Sequence, residues 1–201
     1  MRDKVSSLTI SLQYADEDCG SWSLYDLCHN QGVLNPEHMS NDGFHQALGG
    51  PKLYEDRIFC FLNSEGWTDL FSNAWFLLQS VVVLSDKPEA RELEHLFFLD
   101  DDHRTVAHLD HEDGSSLHLS RTADDSVLSF RDPRGESPAR RLSPYFANLS
   151  IAKDAWLASA AEALTEYALL ARRVCGPHDA PQTGPGQIRA LWSALNLSDP
   201  D

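Results

Sequence analysis

The stretch from Arg104 to Arg131, RTVAHLDHEDGSSLHLSRTADDSVLSFR, constrains the fold more than any other part of the chain. It reads as three antiparallel strands in a meander. Thr105, Ala107 and Leu109 alternate with Val106, His108 and Asp110, the period-two pattern of a strand with one buried face. Leu117 and Leu119 repeat against Ser116, His118 and Ser120, and Leu128 and Phe130 against Val127, Ser129 and Arg131. Turn chemistry decides how these faces meet. Glu112-Asp113-Gly114 suits a three-residue loop, a type I turn closed by Gly114 in the left-handed conformation. That register sets Leu109 opposite Leu117 and His108 opposite His118. A four-residue loop would set Leu109 opposite Ser116 and scatter the apolar residues over both faces. The second turn, within Thr122 to Asp125, keeps Leu119 on the face of Leu128 and Phe130. One apolar face must therefore be covered, and one polar face carries His108, Asp110, His118 and Ser129.

Two segments have the period to cover it. Trp67, Leu70, Phe71, Ala74, Trp75, Leu78 and Val81 recur at three and four, which predicts a helix with a wide apolar face ending near Leu84. The longest helix is predicted from Lys153 to Val174, with Trp156, Ala160, Leu164, Tyr167, Leu170 and Val174 as its buried stripe. Asp154 in its first turn and Arg172 and Arg173 in its last complement the helix dipole, and Gly176-Pro177 stops it. Further strands are expected over Val5–Tyr14, Arg57–Leu62 and Leu96–Leu99, with an edge strand over Ala139–Leu142. Ser23-Leu-Tyr-Asp26 has the form of a capping box for a short helix over Leu24–Cys28. From His29 to Asp56 the chain is rich in Asn, Gly and Pro. It reads as a long connection with a helical turn near Phe44–Leu48 and a turn at Gly49-Gly50-Pro51. The expected fold class is α+β: an antiparallel β-sheet of about five strands, built on the meander, with the two long helices packed on one face. Residues 1–176 form that single domain, 177–187 a linker, and 188–201 a short C-terminal helix and tail. Ile188, Leu191, Trp192 and Leu195 give that last helix one apolar face.

With 201 residues the chain can bury a sizeable core without a covalent staple. Its formal net charge of −15 is the strongest global signal. Such an excess disfavours nucleic acid and anionic membranes as partners, because phosphate recognition rests on Lys and Arg, and favours a cationic protein partner or simple solubility. The opening residues lack the apolar core and cleavage site of a signal peptide. The most apolar run, Trp75 to Leu84, is too short to span a bilayer. Cys19, Cys28, Cys60 and Cys175 lie far apart with no CxxC pair, as expected of reduced thiols in a cytoplasmic protein.

Thr105-Val-Ala-His108-Leu-Asp110-His111 resembles the HxHxDH signature of the metallo-β-lactamase fold, which implies a pair of metal ions that activate water. His108, Asp110 and His111 match, but Val106 stands where the first ligand histidine belongs. That family's motif also lies in a loop entering a helix, whereas here the alternation runs on into a second strand. The hairpin offers a milder metal hypothesis. Directly opposed side chains lie about 4.5–5.5 Å apart at Cβ, so His108 and His118 can share an ion with Asp110 nearby. Such a set suits zinc or another divalent metal. Asp100-Asp101-Asp102 lacks the spacing of a calcium loop. No GxSxG elbow and no phosphate-binding glycine loop occurs.

Strand, helix, β-meander and long helix, over roughly residues 57–175, together with the acidity, resemble the layout of small bacterial proteins of toxin–immunity loci. The resemblance implies a non-catalytic binding protein, an antitoxin that neutralises a basic toxin and needs no cofactor. Its contacts are then expected from acidic residues beside the sheet: Asp100, Asp101, Asp102, Glu112 and Asp113. The alternatives are a metal-dependent hydrolase using His108, Asp110 and His118, or an accessory subunit docking through Ile188–Leu195.

Overall fold

The computed structural model describes residues 6–16, 20–24, 27, 48–54, 68–86, 98–99, 105–110, 116–122, 125–131 and 148–175. In chain order these form β1 (Thr9–Asp16), β2 (Gly20–Ser23), β3 (Leu48–Tyr54), β4 (Thr68–Asp69), α1 (Leu70–Leu84), β5 (Phe98–Leu99), β6 (Thr105–Asp110), β7 (Ser116–Arg121), β8 (Asp125–Arg131), β9 (Asn148–Ala152) and α2 (Lys153–Cys175). The class is α+β. One antiparallel sheet has the order β2-β1-β3-β4, the other β5-β6-β7-β8-β9.

The meander has the register that its turns predict. Leu109 is opposite Leu117, His108 opposite His118, Leu119 opposite Leu128, and Leu117 opposite Phe130. The second turn is closed by Thr122, whose N–H donates to the Asp125 carbonyl at 2.8 Å and whose Oγ1 accepts from the Asp125 N–H at 3.1 Å. Ala107, Leu109, Leu117, Leu119 and Leu128 are all buried. Beyond them β9 adds Leu149 opposite Leu128 and Ile151 opposite Ser126, continuing the apolar face.

Both helices touch both sheets and pack on each other, so the helical pair joins the sheets into one core. Helix α1 starts at Leu70 because Asp69 caps it, accepting from the Ser72 N–H at 2.7 Å. Its residues Phe76 to Leu84 are buried without interruption. A helix apolar all round belongs inside, with partners on every side. Its buried polar side chains find partners, except that Asn73 Oδ1 accepts no hydrogen bond among the described residues. Ser80 Oγ donates to the Leu77 carbonyl at 2.6 Å and accepts from Trp156 Nε1 at 2.6 Å. Helix α2 buries Trp156, Ala160, Ala163, Leu164, Tyr167, Leu170 and Ala171, while Asp154 and Arg173 are exposed. The hydroxyl of Ser159 ties it to the Leu8 carbonyl at the entrance to β1.

Three expectations need correction. A single sheet was anticipated, whereas β1 to β4 form a second one: β1 pairs β3 from Thr9↔Tyr54 to Tyr14↔Gly49, across a sequence separation that alternation cannot reveal. The Gly49-Gly50-Pro51 segment is no turn; it lies inside β3, and Leu48 is strand rather than helix. Glycine is needed there because a Cβ on Gly49 would meet the Gln13 carbonyl and stand 2.5 Å from Leu70 Cδ2. Among the described residues β4 pairs only with Leu48 and Gly49, so Pro51 has no place in that ladder. Third, the first helix begins three residues later than Trp67, since Thr68 and Asp69 pair as β4. Leu24 and Leu27 are helical and buried, in keeping with the capping box. The expected strands at 57–62 and 139–142, the linker and the C-terminal helix lie outside the described residues.

Candidate functional site

The polar face of β6 and β7 holds the sequence-predicted metal set, and the hairpin register brings its members together. His108 and His118 are directly opposed, and their rings meet edge to face with centroids 4.4 Å apart and planes at 90°. The next opposed pair on that face is Asp110 and Ser116. His108 Nε2 lies 2.8 Å from Asp110 Oδ1, and Ser116 Oγ lies 2.9 Å from His118 Nε2. The His108 side chain is only 17% exposed, whereas that of Asp110 is 75% exposed. Ser129 lies opposite His118 on the following strand. Val106 shares this face and is buried.

The backbone at His108 is anchored from behind. Its N–H donates to Gln79 Oε1 at 3.0 Å, a contact from the interior of α1. Strand β5 pairs only with Thr105 and Val106, so the edge of β6 runs bare beyond them among the described strands. Buried Gln79 supplies the acceptor that a longer neighbour would have given. Sequence reading missed this role. The signal was available, as an amide in the otherwise apolar run Trp75 to Leu84. Ser116 was also missed, although the register alone sets it opposite Asp110.

A second polar cluster lies where α1 ends. Asp86 receives Arg121 Nη2 on one carboxylate oxygen and Lys153 Nζ on the other, and Arg121 Nη1 also donates to the Ser85 carbonyl at 3.2 Å. The hydrogen bond from Lys153, and then that from Arg121, lowers the Asp86 carboxyl to about 2. This joint links the end of α1, the end of β7 and the start of α2 through the exposed Asp86 and the partly exposed Arg121 and Lys153. No local pattern in the sequence announces it.

The acidic residues expected to make contacts, Asp100, Asp101, Asp102, Glu112 and Asp113, lie outside the described residues, as does His111 of the metallo-β-lactamase-like motif. Thr105–Asp110 continues as a strand paired with Ser116–Arg121, unlike that family's loop-to-helix context. Among the described residues, no three His, Cys, Asp or Glu side chains stand arranged round one ion position. No helix among them is long and apolar enough to cross a membrane. Fold and site together define an α+β protein with a histidine-bearing polar sheet face. Compared with protein-family models, with curated proteins and with solved structures, the chain shows no match to any of the three.

Proposed function

We propose that this chain is a non-catalytic acidic protein that binds a cationic protein partner, in the manner of an immunity protein neutralising a basic toxin. The observation that carries this reading is the net charge of −15, from 31 acidic against 16 basic residues. Two of those cations, Arg121 and Lys153, are paired with a single carboxylate, Asp86. The rest of the chain is therefore more acidic than the total implies. A large field of one sign steers an oppositely charged partner into encounter, and imitates the anionic substrate of an enzyme such as a nuclease. A rigid two-sheet core suits such a role, because contacts on a preorganised scaffold cost little ordering entropy.

The test is a binding titration at low salt against a basic protein encoded beside this one. Binding is expected, with an association rate that falls steeply as salt is added. Replacing Asp100, Asp101 and Asp102 together with Asn should slow association and leave the unfolding midpoint in place. Absence of binding at low salt overturns the proposal. Binding insensitive to both salt and the triple substitution overturns its electrostatic mechanism.

A further inference from the structure

We draw no further inference here: the strongest candidate, the His108, Asp110, Ser116 and His118 cluster on the polar face of the β6–β7 hairpin, belongs to the site already described and gathers no three ligands round one ion position.

Discussion

At the scale of single residues, Asp86 shows how an exposed carboxylate can matter to a fold. It gathers Lys153 and Arg121, and its carboxyl is lowered from 3.8 to about 2. A folded-state value below the unfolded one means that the stabilisation is fully present above the unfolded value and is lost as pH falls toward the folded one. Asp86→Asn should therefore lower stability at neutral pH. The gap between variant and parent should close as the solution is acidified from about pH 4 to pH 2, the interval between the two values. Denaturant melts of both proteins across that interval check it. A gap that persists at the acid end would show that Asp86 acts through something other than its charge. Added salt should also narrow the gap at neutral pH, because the cluster is open to solvent. Ser80 is the interior counterpart. Its hydroxyl bridges the Leu77 carbonyl and the Trp156 indole, so neither group is left unpaired where water cannot reach.

At the scale of elements, the meander was legible because everything that determines it is local. Alternation assigns the faces, and Gly114 and the Thr122–Asp125 turn set the phase, so Leu109, Leu117, Leu119 and Leu128 come out buried together. The histidine pair follows from the same register. The long helix was equally legible, beginning at Lys153 as its spacing requires and running to Cys175. Strand β3 was not, because its cause is remote. Two glycines and a proline are turn residues by propensity, and only the approach of Gln13 and Leu70 makes them strand residues. This yields a prediction. Gly49→Ala places a methyl group against the Gln13 carbonyl and Leu70, within a ladder that cannot part. It should cost about 1–3 kcal/mol, the usual range for overpacking. Coupling it with Leu70→Ala should recover part of the loss, since one of the two obstructions is then removed. Urea unfolding of the two single variants and the double variant gives the coupling directly. Strict additivity would mean that the side chain of Leu70 is not what confines the glycine.

At the scale of the whole molecule, the question is whether two sheets make one folding unit. Alternation shows that a strand has a buried face but not which sheet it joins, so the pairing of β1 with β3 was beyond local reasoning. The burial of α1 carries the answer. It contributes to one continuous core that takes Leu12 from the first sheet, Leu119 from the second and Trp156 from the other helix. Asn73, also on α1, donates to the Gly49 carbonyl at 3.2 Å, and Gln79 reaches the backbone of β6. Neither sheet keeps a closed apolar interior if α1 departs. The chain should accordingly unfold in a single transition, with far-ultraviolet and near-ultraviolet circular dichroism superimposing across a urea titration. Leu12→Ala and Leu119→Ala sit in different sheets, and each should cost about 2–5 kcal/mol. The decisive feature is that each should move both signals by the same amount, because loss of packing in one sheet is felt through α1 by the other. A biphasic curve, or a variant that shifts only one signal, would mean that the sheets unfold separately. The shared core would then be a contact between two units and not the interior of one.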